Sequence, residues 1–299
     1  MQIIVIGFYK IKKINKLEKQ KNILKKYFLN RSIRGTVILS PEGINGTISG
    51  QKNDVIDCIN YIKQKISIKK FDSNNYSKIH FQPFYRPKIK IKKEVVPIGL
   101  KLNSKKKKEN RYIESKDWNE FILNKDVKII DVRKPIEFKL GTFKNAINPN
   151  IKNFRQFPKF FKKLSKNKKI AMFCTGGIRC EKAANYLRKK GFKEIFQLKG
   201  GIINYLDNVD IRKSLWKGEC FVFDNRVTLK HKLIPGTFIM CSACRTPVSL
   251  KNKKSKKYIE DISCPNCYNK LSKNKKQKLL MKKKQKELLK NKIKVNANK

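Results

Sequence analysis

The stretch AMFCTGGIRCEKAANYL, residues 171–187, sets a cysteine at the end of an apolar run. Two glycines and an arginine follow, and then a helical pattern begins. Short apolar runs alternating with helices predict a parallel sheet covered on both faces. In such sheets reactive groups gather beyond the carboxyl ends of the strands, which is where Cys174 is expected. Thr175, Gly176, Gly177 and Ile178 should curl their backbone N–H groups around its sulfur, with the two glycines supplying the conformations a ring of amides demands. Those amides, the N-terminus of the next helix and Arg179 all favour an anionic sulfur. A lowered pKa and an accessible thiolate are therefore expected. Such a thiolate is a nucleophile or a sulfur carrier. The four residues between Cys174 and Arg179 are one fewer than in the cradle of a cysteine phosphatase. The smaller ring suits a persulfide or another compact anion. Cys180 is either a resolving thiol that closes an internal disulfide or a core residue of the first helical turn.

A second constellation pairs Cys241 and Cys244 in CSAC with Cys264 and Cys267 in CPNC, separated by 19 residues. This is the spacing of a tetrahedral structural zinc site, whose four ligands leave no open position for catalysis. The other reading is four reduced thiols or a redox pair. Cys58 and Cys220 read as small buried hydrophobes. With only His80 and His231, the chain cannot supply a histidine-rich iron centre of the oxygenase type. No motif points to a nucleotide cofactor.

The elements that must position these groups follow from apolar periodicity. Residues 2–10 read as a strand, KLEKQKNILKKYFLN as a helix, and IRGTVILSPEGINGTISG as two strands about a Pro-Glu-Gly turn. DVIDCINYIKQK is a second helix and SKIHFQPF a fourth strand. That order predicts a ferredoxin-like α+β domain over residues 1–92. A basic linker is expected over residues 93–113, with a solvated lysine run at 105–108. The alternation in KIKIKKE reads as an extended connector, or as a strand presenting lysines towards phosphate. Residues 114–212 alternate helices (WNEFILN, NFRQFPKFFKKL, EKAANYLRKKG) with strands (VKIIDV, KIAMFC, EIFQL) and form the parallel-sheet α/β domain. Residues 213–270 are a cysteine-rich extension, and residues 271–299 a basic helical or frayed tail.

The net charge of +52 over 299 residues draws polyanions to the surface, and nucleic acid is the expected macromolecular partner. Part of that charge reflects the lysine-rich usage that AT-rich codons impose. No run approaches the roughly 18 apolar residues of a membrane span, and the first ten residues do not read as a leader peptide. A cytoplasmic protein is expected. In that reducing compartment the eight cysteines point to metal or redox chemistry before disulfides.

The segments DVRKPIEFKLGTFKNAINPN, CTGGIRCEKAANYL and LKGGI are spaced as in the rhodanese domain and resemble it. The resemblance implies a persulfide on Cys174. Asp131 and Arg133 match the domain's Asp-Val-Arg signature and Glu137 its acidic partner, and these three are expected to hold the strand end and loops together. Thr142 stands where many rhodaneses have histidine, and Asn145 where they have glycine. Asparagine tolerates positive φ. Over nearly the whole chain, SPEGINGTISG, KIKIKKEVV, GTFKNAI, FCTGGIRCEKA and WKGECFVFDNRV are similar to the tRNA uridine hydroxylase family. That similarity implies oxygen-dependent hydroxylation of the wobble uridine, position 34, of tRNA to 5-hydroxyuridine. It further implies Cys174 as the essential residue beside Arg179, tRNA as partner, and molecular oxygen as co-substrate. The electron donor is not legible. The alternative is a general rhodanese-type sulfurtransferase that moves sulfane sulfur to a small acceptor.

Overall fold

The computed structural model describes residues 2–99, 111–162 and 164–297, with side chains up to residue 288. The lysine run at 105–108 lies outside the described residues. The chain forms two units. The larger comprises Met1–Asp224 with Leu229–Ile234, and the smaller Asn225–Thr228 with Pro235–Lys299.

The larger unit begins with the ferredoxin-like domain. Its apolar alternation yields β1 (Ile3–Ile11), β2 (Arg34–Ser40), β3 (Gly43–Gly50) and β4 (Ser73–Ile79), in spatial order β4-β1-β3-β2 with antiparallel neighbours. Helices α1 (Leu17–Asn30) and α2 (Lys52–Lys65) bury Leu24, Phe28, Val55, Cys58, Ile59 and Ile62 in the core shared with the sheet. The expected connector is in part a fifth strand. β5 (Pro87–Ile91) pairs in parallel with β2, giving that edge a hydrogen-bonding partner. Ile89 and Ile91 pack against the core, while Lys88 and Lys90 are exposed.

The last residues of the expected linker are likewise a strand, β6 (Arg111–Ile113). The α/β domain continues through α3 (Ser115–Leu123), β7 (Val127–Asp131), α4 (Pro135–Leu140), β8 (Gly141–Phe143), α5 (Phe157–Phe161), β9 (Lys169–Phe173), α6 (Ile178–Lys189), β10 (Ile195–Leu198) and α7 (Gly201–Asn208). Its sheet runs β6-β10-β9-β7, every pair parallel. Alternate residues of β9 feed two separate cores: Ile170 and Met172 in one, Ala171 and Phe173 in the other. This is the two-faced burial expected of a parallel sheet. The segment NFRQFPKFFKKL is not one helix. A 3-10 turn at Phe154–Gln156 gives way to the short α5, and Pro158, which has no N–H to donate, opens the new helix instead of continuing the old one. The unit also reaches past residue 212. β11 (Trp216–Gly218) pairs antiparallel with β8, and Trp216 and Cys220 join the core with Trp118 and Phe173.

In the smaller unit the strands Ile239–Met240 and Pro247–Val248 pair antiparallel. The helix Lys273–Ala297 rests Leu279 against the cysteine cluster, and Lys286 pairs with Asp261 at 2.8 Å. Among the described residues no helix is long and apolar enough to cross a membrane.

Candidate active site

Cys174 follows β9 directly and precedes α6 by three residues, at the carboxyl end of the parallel sheet. Gly177 takes φ 98° at the N-cap of α6, a conformation that side-chain-bearing residues rarely adopt. Its N–H donates to Cys174 Sγ at 3.2 Å. Gly177 alone of the two loop glycines has positive φ, so the expectation that both are needed conformationally is corrected. The backbone N–H groups of Arg179 and Cys180 also favour the anionic sulfur, although the Cys180 N–H is bonded to the Gly177 carbonyl at 2.9 Å.

Burial pushes the Cys174 thiol up, yet its pKa is lowered from 9.0 to about 6. The Cys180 thiol donates to it, Arg179 lies close, and the amides of the α6 N-terminus complete the field. Cys180 is fully buried, and its own pKa is raised, by burial first and then by Cys174. It is thus both a core residue and a donor to the Cys174 sulfur.

Arg179 is held by Glu137 through two 2.8 Å bonds, Nη1 to Oε2 and Nη2 to Oε1, and Nη2 also reaches Thr175 Oγ1 at 3.0 Å. Bidentate pairing of this kind fixes a guanidinium plane. Burial favours a neutral Glu137, but Arg179 and Arg133 hold its carboxyl below the usual range. The strand end is fastened by Asp131 and Arg133, both fully buried. Arg133 Nη2 reaches Asp131 Oδ2 at 2.7 Å and the Gly141 carbonyl at 2.5 Å, and its guanidinium lies 5.1 Å from the Trp216 ring centroid. Thr142, at the position of the family's histidine, donates to Asp131 Oδ2 at 3.1 Å. Asn145 takes φ 63°. Ile178 begins α6 and faces the core at 9% exposure.

The expectation of an accessible thiolate is corrected: Cys174 is 1% exposed. Two neighbours cover it. The start of α7 packs on the loop, with the N–H groups of Ile202 and Ile203 donating to the carbonyls of Cys174 and Thr175 at 3.0 and 3.1 Å. A Cβ on Gly201 would stand 2.5 Å from the Cys174 carbonyl oxygen. The ferredoxin-like domain supplies the rest. Tyr9 of β1 sits beside Gly177, and Asn75 of β4 sits by Gly176 and donates to the Gly200 carbonyl at 3.4 Å. Lys182 Nζ, buried on α6, pairs with Glu42 at 2.5 Å and Glu94 at 2.6 Å, tying the two domains together. Gly201 lies within LKGGI, a segment the sequence marks only by its resemblance to the rhodanese domain. Tyr9 and Asn75 had no local signal, because they reach the site only through the packing of one domain on another.

In the smaller unit Cys241, Cys244, Cys264 and Cys267 converge, with all four sulfurs within 4.8 Å of one another. Separations of 3.9 Å (Cys241–Cys267), 3.6 Å (Cys244–Cys264) and 3.9 Å (Cys264–Cys267) match the edge of about 3.8 Å that a tetrahedron of ~2.3 Å Zn–S bonds requires. Disulfides would need ~2.05 Å. The donor set and its spacing fit zinc.

A parallel sheet that ends on a cysteine ringed by helix amides and one guanidinium defines a rhodanese-type domain, here following a ferredoxin-like one. Sequence comparisons agree: residues 3–95 match the UPF0176 acylphosphatase like domain and residues 115–208 the rhodanese-like domain. A solved rhodanese-related protein from Thermoplasma volcanium is 31% identical, covering 32% of this chain and 90% of its own, with a TM-score of 0.29. A polysulfide-sulfur transferase from Wolinella succinogenes is 30% identical, covering 33% and 75%, with a TM-score of 0.29. The tRNA uridine(34) hydroxylase of Pelagibacter ubique (strain HTCC1062) is 57% identical over 277 residues, 93% of this chain and 92% of that protein. The chain belongs to the tRNA uridine(34) hydroxylase family.

Proposed function

We propose that this protein hydroxylates uridine 34 of tRNA to 5-hydroxyuridine, with molecular oxygen as co-substrate and Cys174 as the reacting residue. The observation that carries the reading is 57% identity to a tRNA uridine(34) hydroxylase across almost the full length of both chains, joined to a thiol whose pKa is lowered to about 6. A thiolate at neutral pH attacks sulfane sulfur. Cys174 displaces a thiolate from a donor's S–S bond and keeps the outer sulfur as a persulfide, which the Gly177, Arg179 and Cys180 N–H groups and the Arg179 guanidinium stabilise. Placing one oxygen atom of O2 on the uracil ring leaves the other to become water, using two electrons from a separate reductant.

tRNA binding draws on the lysine-rich surface, including the exposed Lys88 and Lys90 of β5, and the protein works in the cytoplasm, where tRNA resides. Cys241, Cys244, Cys264 and Cys267 hold a structural zinc ion that organises the smaller unit.

Nucleoside mass spectrometry of tRNA from cells with Cys174→Ser as the sole copy tests the reading. The variant should bind tRNA and leave 5-hydroxyuridine absent. Normal levels of the modified base would remove Cys174 from the reaction. Rapid sulfur transfer from thiosulfate with unchanged tRNA nucleosides would favour the small-acceptor sulfurtransferase instead.

A further inference from the structure

The helix that opens at the Cys174 loop, α6, carries an acidic residue in its first turn, Glu181. The Glu181 N–H donates to the Gly177 carbonyl at 3.3 Å, and its charge helps raise the Cys180 thiol. Glu181 lies one residue beyond Cys180 and is 3% exposed. A buried carboxylate near an anionic sulfur opposes its ionisation. Its Oε1 accepts hydrogen bonds from two phenols. Tyr112 of β6 donates at 2.8 Å, and Tyr9, from the other domain, donates at 3.0 Å. Tyr9 is buried within the same apolar cluster as Cys174, Ile178 and Cys180, and its hydroxyl lies 3.2 Å from where a Cβ on Gly177 would stand.

We propose that Tyr9 is a positioning residue through which the ferredoxin-like domain sets the charge state of the Cys174 sulfur, by holding and screening Glu181 beside the loop. The inference rests on the reading of Cys174 as the reacting residue. A phenol donating to a buried carboxylate withdraws its negative charge from neighbouring groups. Burial first, and then Glu181, raises the Tyr9 pKa well above its ordinary value, so Tyr9 is a donor at neutral pH.

Among the described residues, the other charged groups beside the sulfur have these partners. Arg179 and Cys180 of α6 favour the thiolate directly. Glu137 of α4 is paired with Arg179, and Asp131 with Arg133 on and just after β7. Lys182 is engaged by Glu42 and Glu94. Of the α/β domain's own acids named here, Glu181 is the one that accepts from a side chain of the ferredoxin-like domain.

The test is the pH dependence of Cys174 alkylation by iodoacetamide, followed by mass spectrometry of the Cys174 peptide in the full chain. Tyr9→Phe keeps the ring and removes the donor, and should raise the midpoint by about half a pH unit, roughly threefold less thiolate well below the midpoint. Glu181→Gln removes the charge and should lower the midpoint. In the Glu181→Gln background the added Tyr9→Phe change should have no effect. An unchanged midpoint in Tyr9→Phe, or an equal shift with glutamine at 181, overturns the proposal, because a packing role would not depend on the charge at that position. Should Tyr9→Phe fail to fold, 3-fluorotyrosine at position 9, a stronger donor on the same ring, decides: a lowered midpoint that disappears with glutamine at 181 supports the proposal, and an unchanged one overturns it. None of these readouts requires tRNA, so failure of the hydroxylase reading would leave them distinct.

Discussion

At the scale of single residues, the proposed chemistry depends on an anion kept in a buried place. Burial alone would keep Cys174 neutral, and the opposing effects of Cys180, Arg179 and the helix amides outweigh it. The folded pKa is depressed, so the thiolate's contribution to stability is complete above the ordinary thiol value. It declines as the pH falls towards about 6, and reactivity follows the same direction. Replacing Cys180 with alanine deletes a donor to the sulfur. The alkylation midpoint of Cys174 should then rise by about one pH unit, with Cys180→Ser, which retains a donor, falling between alanine and wild type. An alanine variant that titrates like wild type would leave Arg179 and the amides as sufficient.

At the scale of elements, the loop is clamped between α6 and the start of α7. Gly201 has φ 70°, and any Cβ there meets the Cys174 and Thr175 carbonyl oxygens and the Gly177 nitrogen at 2.5–2.8 Å. These atoms are backbone and cannot turn aside as a side chain would. Gly201→Ala should cost at least ~2 kcal/mol, the order of a strained positive-φ residue with its clash. That corresponds to a Tm lower by roughly 4–8 °C. Calorimetry reads the loss, and loss of the depressed Cys174 midpoint in the same variant would show that the clamp shapes the anion site as well. A neutral Gly201→Ala would mean that α7 moves away without consequence for the loop. The same lesson applies to β5 and β6. Each is a short alternating or polar stretch that became a strand because an existing edge, β2 or β10, offered unpaired hydrogen-bonding groups. No local preference of PKIKI or RYI separates strand from linker.

At the scale of the whole molecule, two units meet two needs, an anion site inside the larger and a cysteine cluster organising the smaller. Elemental analysis of the purified protein should find zinc at one ion per chain, and Cys264→Ser should lose it. Chelation should unfold the smaller unit while the Cys174 alkylation midpoint stays at about 6, because the groups that set it all lie in the larger unit. Zinc-free protein with unchanged folding of that unit would refute the structural ion. The sequence by itself determined the two helices and four strands of the ferredoxin-like domain, the placement of Cys174 between a parallel strand and a helix N-terminus, and the pairing of four cysteines. These depend on periodicity and spacing along a single stretch of chain. Tertiary structure alone decided that the thiol is covered and that Tyr9 and Asn75 lie over the loop. Contacts between residues more than a hundred positions apart leave no local periodicity, since they arise only when separately folded surfaces pack against each other.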